Sequence, residues 1–368
     1  VRWLCHFNIP TALPLNKAQT DQDAAIKTSP LYEARTYTQV ANDMQVPEDH
    51  LRRIARMAML TGFLAEPTPG QLCHTPLSAA IATQPQLLEW ARFITSFSAP
   101  MVSHMVEATE RWEGAPGEDR TAYNAAWNTD KPVFRHLAEH PKLLAALASY
   151  MRASAQSEGL TVRHLIECWR PGWEALAARQ GVLVDVGGSA GHVSIALAQA
   201  FPGLRAVVQD RPEVIRRAQE GMTFSVQGGS IPVVLQAHDF FTAQPERPEG
   251  WECSGKGDVY LVRQVLHDWD DDKAILILSH LFHALRASGP DARLLLMDTI
   301  LPTPGAGSRT EEGRLRVRDL TMLQSHNSHE RSETQLTDLL LAAHPSMKIK
   351  QIVQPFNSLL GVIEVGLE

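Results

Sequence analysis

Apolar and polar positions divide the 368-residue chain into two styles. Up to about Gln180 apolar residues recur every three or four positions, the spacing of amphipathic helices. After Gly181 short runs rich in β-branched residues alternate with helical stretches. The opening VRWLCHFNIP is apolar and ends in Pro10, which predicts the tail of a helix, and Pro14 and Pro30 punctuate an irregular entry. From Thr36 onward Pro47-Glu48-Asp49 marks a helix start, with proline and acids in the first turn. Leu51, Ile54, Met57, Ala58 and Leu60 supply its apolar spacing, and Gly62 a C-terminal cap. FLAEPTPGQLCHT then predicts two short strands around a Pro-Gly turn. Helix, turn, helix, short hairpin is a winged-helix order. Residues 85–180 read as helical throughout, broken near Gly114-Ala115-Pro116-Gly117 and at Pro171-Gly172.

The second style predicts strands in VLVDVG, RAVVQD, VVLQAHDF, DVYLVRQVLH and ARLLLMDTIL, with helices at 191–201 and 271–286. Strands alternating with helices form βαβ units and a parallel sheet. KIKQIVQP and SLLGVIEVGL follow each other without a helix, so they read as a hairpin that makes the sheet mixed at one edge. The expected fold is α/β with helices on both faces of a mixed sheet, preceded by a mainly helical domain. The expected division is 1–84, a winged-helix dimerisation domain; 85–180, a helical linker and pocket region; and 181–368, the catalytic domain.

Composition narrows the function. Apolar residues make up 44% of the chain and charged residues 20%, which excludes a largely disordered chain. No window reaches the roughly 18 uninterrupted apolar residues of a membrane span. The net charge is −7, against the basic balance that phosphate neutralisation requires. Between Tyr32 and Glu66, where a winged helix would invite DNA, five acids outnumber four arginines, for a net −1. The Arg52, Arg53 and Arg56 cluster reads as a solvated helix face, so no nucleic-acid partner is expected. Cys5, Cys73, Cys168 and Cys253 form no C-x-x-C pair and read as reduced thiols of a cytoplasmic protein. No basic-then-apolar leader is visible ahead of them. His136 with His140, and His280 with His283, have ligand-like spacing but no third ligand in register, so no metal is expected.

The chemistry concentrates in VLVDVGGSAGHVSIALAQAFP. A strand at 182–186 runs into Gly187 and Gly188, and Gly191 opens a helix. Glycines there let the backbone turn tightly and approach a ligand at the carboxyl end of the strand. The spacing departs from G-x-G-x-x-G, and Asp185 stands just before the turn. A carboxylate there suits a cationic ligand without phosphate, which points to S-adenosylmethionine rather than a dinucleotide. Asp210 ends the next strand, where an acid accepts from both ribose hydroxyls, and Asp239 follows VVLQAH, near the adenine.

Together LVDVGGSAG, QDRPEVI, VRQVLHDWDDDKAILIL, LLLMDTILP and DLTMLQSHNSHERSETQLTDLLLAA resemble five segments of the plant and fungal small-molecule O-methyltransferases. Those enzymes are S-adenosylmethionine-dependent, with a Rossmann-like catalytic sheet and an N-terminal winged-helix dimerisation domain. The resemblance runs from about residue 36 to the end. It implies that His267 is the general base, with Asp298 and Glu330 as the flanking acids. It implies cofactor contacts at Gly187, Gly188, Asp210, Asp239, Phe240 and Arg263, to which the turn adds Asp185 and Gly191. Arg263 stands where a lysine is usual and Ser189 where a glycine is frequent. At Arg263 the contact runs mainly through the backbone. Asp268, Met322 and Trp127 fall at substrate-pocket positions.

These residue types suit methyl transfer. A phenol has a pKa near 10, so little phenolate exists at neutral pH. A neutral imidazole takes the hydroxyl proton as the oxygen attacks, and an acid on its far nitrogen fixes the tautomer. His267 is expected directly after a strand at 258–266, at the sheet edge where the cofactor binds. The expected activity is O-methylation of a phenolic or enolic hydroxyl on a polyketide-like secondary metabolite, with S-adenosylhomocysteine as coproduct. The resemblance also implies a homodimer. The competing reading is a family member that binds the cofactor but catalyses dehydration or pericyclic rearrangement. Loss of the histidine in L-H-D-W would favour it, and here His267 is present.

Overall fold

The structure is a computed structural model that describes residues 1–16, 32–221, 232–251 and 257–368; Pro30 and Cys253 lie outside them. The chain forms two compact units, Val1–His104 with Phe134–Ser154, and Met105–Val133 with Ala155–Glu368. The helical stretch 85–180 is thus shared between them.

In the first unit a capping box closes the start of the helix Tyr37–Met44, Thr36 accepting from the Gln39 N–H and Gln39 from the Thr36 N–H. The next helix, Glu48–Met59, starts after Pro47 with Glu48 and Asp49 in its first turn. It buries Leu51, Ala55 and Ala58, spaced as one face of a helix. Met57 and Leu60, read from the sequence as part of that face, point outward at 68% and 80% exposure. Gly62 takes a positive φ of 73° and donates its N–H to Met59. Strands β1 (Arg35–Thr36), β2 (Leu64–Thr68) and β3 (Gln71–His74) make a small sheet in the order β1-β3-β2. The helix–turn–helix–hairpin order expected from the chain is therefore present. Arg52 pairs with Glu48, Arg53 with Asp49 and Arg56 with Glu66, so each arginine of the cluster meets an acid.

The second unit is built on a seven-stranded sheet ordered β6-β5-β4-β7-β8-β10-β9. Its strands are β4 (Val182–Val186), β5 (Arg205–Asp210), β6 (Val233–Ala237), β7 (Val259–Arg263), β8 (Arg293–Asp298), β9 (Met347–Val353) and β10 (Gly361–Leu367). β4 to β8 run parallel, and β10 is antiparallel to both β8 and β9. The mixed edge expected from the last two runs is thus formed. Central strands are apolar on both faces: every residue of β4 is buried, as a sheet covered by helices on two sides requires. One core holds Val184, Leu278, Leu296 and Leu340, and another holds Trp173, Leu183, Leu197 and Leu261. Strand order reverses between β4 and β7, since β5 and β6 lie to one side and β7 and β8 to the other. Ligands of such sheets bind beyond the carboxyl ends of the strands at that reversal.

Candidate active site

The glycine turn sits at this reversal. Gly187 leaves β4 with φ 74° and Gly191 caps the helix His192–Ala200 with φ 78°, both in the region that favours glycine. A Cβ on Gly187 would lie 2.8 Å from Val265 Cγ2 and 3.7 Å from Phe240 Cε1. The turn therefore packs directly on the loop leading to His267 and on the Phe240 ring. A Cβ on Gly188 would lie 2.6 Å from the Asp185 carboxyl carbon. Asp185 is buried beneath the turn and accepts the Ser194 hydroxyl at 2.7 Å. Burial pushes its pKa up to about 6, partly offset by Ser194 and the Arg263 charge.

Asp210 closes β5 and accepts the backbone N–H groups of Ser189 and Arg211, each at 2.8 Å. Asp239 lies two residues beyond β6 and accepts the Phe241 N–H. Arg263 ends β7, and its buried guanidinium donates to the Leu160 carbonyl at 2.6 Å. These residues fit S-adenosylmethionine. They place a carboxylate acceptor for a ribose diol, an aromatic ring and a close-approach glycine turn along one sheet edge. When bound, S-adenosylmethionine supplies an electrophilic methyl group on a sulfonium sulfur.

His267 stands two residues beyond Val265. β7 ends at Arg263, earlier than the strand 258–266 expected from sequence, because Gln264 turns into the left-handed region with φ 54°. His267 instead sits in a single 3₁₀ turn, Leu266–Asp268, and is 6% exposed. Its Nδ1 lies 3.1 Å from Glu330 Oε1 and 3.9 Å from Asp298 Oδ1. Its Nε2 lies 3.6 Å from Asp268 Oδ1. The sequence left open which flanking acid orients the ring; the distances single out Glu330. Among the described residues neither carboxylate oxygen of Asp298 has a hydrogen-bond partner.

The electrostatics separate the two acids. Burial would raise the Glu330 pKa, but the His267 and Arg318 charges bring it below the usual carboxylate value. Burial pushes Asp298 up to about 7, against the pull of His267. Burial would depress the His267 pKa, yet Glu330, Asp298 and Asp268 outweigh it and raise it to about 9. An ionised Glu330 only accepts, so Nδ1 donates and Nε2 carries the lone pair of the neutral ring.

Around this cluster lie residues that sequence reasoning did not single out. Arg318 Nε donates to Thr299 Oγ1 at 2.8 Å and lies 3.4 Å from Glu330 Oε1. Ser328 and Arg331 bond the main chain of the His267 turn. Their one sequence signal is position, on either side of Glu330. His326 ends the helix Arg309–His326, and its Nε2 lies 3.7 Å from Asp268 Oδ1. Burial lowers the His326 pKa. The helix Arg309–His326, which carries Met322, packs on the His267 turn and on the helix Ala122–Trp127. Trp127 stacks on the buried Tyr123, ring centres 4.6 Å apart.

Comparisons with known proteins identify the family. The chain matches the family model described as O-methyltransferase domain over residues 115–344. It is 36% identical to the O-methyltransferase VdtC of Byssochlamys spectabilis, over 99% of this chain and 78% of that protein. It is 38% identical to the O-methyltransferase fsr2 of Gibberella fujikuroi, over 100% of this chain and 88% of that protein. The crystal structure of OxaC in complex with SAH and oxaline superimposes with a TM-score of 0.73 at 21% identity, covering 100% of this chain and 84% of that one. A likeness at that identity shows the fold. With the glycine turn, the strand-end acids and the histidine cluster on one sheet edge, the chain belongs to the O-methyltransferase family and is an S-adenosylmethionine-dependent O-methyltransferase.

Proposed function

We propose that the protein methylates a phenolic or enolic hydroxyl of a small, polyketide-like secondary metabolite, with His267 removing the hydroxyl proton. The observation that carries this reading is the one-sided hold on the imidazole. Glu330 engages Nδ1 at 3.1 Å, and Nε2 is left to the acceptor, next to Asp268. Asp185, Gly187, Gly188, Gly191, Asp210, Asp239, Phe240 and the Arg263 backbone hold the cofactor. Asp268, Met322 and Trp127 line the acceptor side.

The proton path follows from the charges. The acceptor O–H bond breaks toward Nε2, and the imidazolium formed is stabilised by Glu330 through Nδ1–H. Asp298 adds negative charge behind the ring when ionised. A base with a pKa of about 9 is well matched to a phenol with a pKa near 10, so the transfer is close to thermoneutral.

Incubation with methyl-labelled S-adenosylmethionine and a panel of candidate phenols tests the reading. Label is expected in a small-molecule product with the wild type, and a loss of about 10²–10⁴-fold in His267→Ala. Conversion of an acceptor without gain of a methyl mass would replace methyl transfer by the rearrangement reading.

The protein is read as a homodimer. The supporting feature is a run of exposed apolar residues on the helix Arg309–His326: Val317 at 64%, Leu320 at 48% and Leu323 at 40%. Light scattering during size-exclusion chromatography is expected to give twice the chain mass, and Leu320→Glu to reduce it to one. A cytoplasmic location is supported by free thiols at Cys5, Cys73 and Cys168.

A further inference from the structure

The imidazole, Glu330 and Asp298 come from a 3₁₀ turn, a loop and a strand end, and a three-residue turn does not fix its own orientation. The segment Ser328–Arg331 touches all three places. Ser328 Oγ–H donates to the main-chain carbonyl of His267 at 2.6 Å. Arg331, 3% exposed, donates from Nη1 to the Leu266 carbonyl and from Nη2 to the Trp269 carbonyl, each at 2.8 Å. Its Nε and Nη2 also reach Asp271 Oδ1 at 3.0 and 2.8 Å. The Arg331 carbonyl accepts the Leu301 N–H at 3.0 Å, and Arg331 bridges to Ile300, two residues beyond Asp298.

We infer that Ser328 and Arg331 are positioning residues for His267, bracing the turn from both sides while Glu330 between them holds the ring. A planar guanidinium serves carbonyls on both sides of the histidine and a carboxylate at once, which a lysine ammonium on a flexible stem does not reproduce. Packing alone does not call for a buried charge, since apolar side chains of similar volume fill such space as well or better. The geometry is therefore what the arginine contributes. Displacement of a reacting group by about 1 Å can reduce turnover by 10²-fold.

This inference rests on the reading of His267 as base, and the experiment keeps the two apart. In the full chain with S-adenosylmethionine bound, the His267 ring is titrated by NMR, and kcat and acceptor KM are measured. The variants are Ser328→Ala, Arg331→Lys and Arg331→Met. Ser328→Ala is expected to lower kcat about tenfold with acceptor KM within about twofold, and to shift the His267 titration toward that of a free histidine. Arg331→Lys is expected to fall between wild type and Arg331→Met. A folded Ser328→Ala with wild-type kcat and an unmoved His267 titration overturns the inference, whether or not Arg331→Met folds. If His267→Ala retains methyl transfer, the base reading falls. The ring titration in Ser328→Ala then still decides whether the segment holds the ring.

Discussion

At the scale of single residues, the cluster trades availability for strength. With its pKa at about 9, His267 at pH 7 is neutral in only about 1% of molecules. As the proposed base, His267 works in the form that lacks the proton, so turnover is expected to rise with pH. The acid limb of kcat/KM is expected near 9, well above the ordinary histidine value of about 6.5. Glu330 is the nearest source of the shift, so Glu330→Gln is expected to move that limb toward 6.5 while lowering kcat, because the neutral amide oxygen accepts from Nδ1 without the charge that stabilises the imidazolium. Initial rates across pH 5.5–10 with labelled cofactor check both; a limb that stays put in Glu330→Gln contradicts the assignment. His267 was legible as the candidate base because the local run L-H-D-W-D resembles the family's histidine segment. Its charge state was not, because that depends on carboxylates 31 and 63 positions away in the chain.

At the scale of elements, the glycine turn and the histidine turn behave as one part. Gly187→Ala forces an alanine to a φ of 74° and drives its Cβ to 2.8 Å from Val265 Cγ2. Because Val265 leads into the Leu266–Asp268 turn, the expected result is a drop in cofactor affinity of at least tenfold by calorimetry, with a further loss in kcat. Gly307→Ala is the control: nothing lies within 4 Å of its Cβ position, so stability is expected to change by less than about 0.5 kcal/mol. Helix starts and the hairpins were legible because caps, turns and periodicity are local. The end of β7 was not. VRQVL reads as continuous β-rich sequence, yet Gln264 turns away with its N–H bonded to the Met297 carbonyl.

At the scale of the whole molecule, the sheet depends on a buried ion pair at the end opposite the site. Asp258, fully buried, accepts from Arg247 at 2.7 Å and from the Val182 N–H at 2.8 Å, so it joins the starts of β4 and β7. Arg247→Met removes the Arg247 guanidinium from that buried carboxylate and is expected to cost about 3–5 kcal/mol by urea denaturation. The Asp258→Asn, Arg247→Met double variant is expected to recover part of the loss. Sequence by itself determined the α/β class, the parallel sheet with its antiparallel edge and the glycine turn, because each is written in neighbouring residues or a short period, while His267 and its candidate acids came from the resemblance of short segments to a family. Tertiary structure alone decided that Glu330 rather than Asp298 holds Nδ1, that Asp185 lies beneath the turn against Ser194, and that Ser328 and Arg331 brace the histidine. The reason is that burial and distance between segments far apart in the chain are set by packing, and no local pattern encodes them.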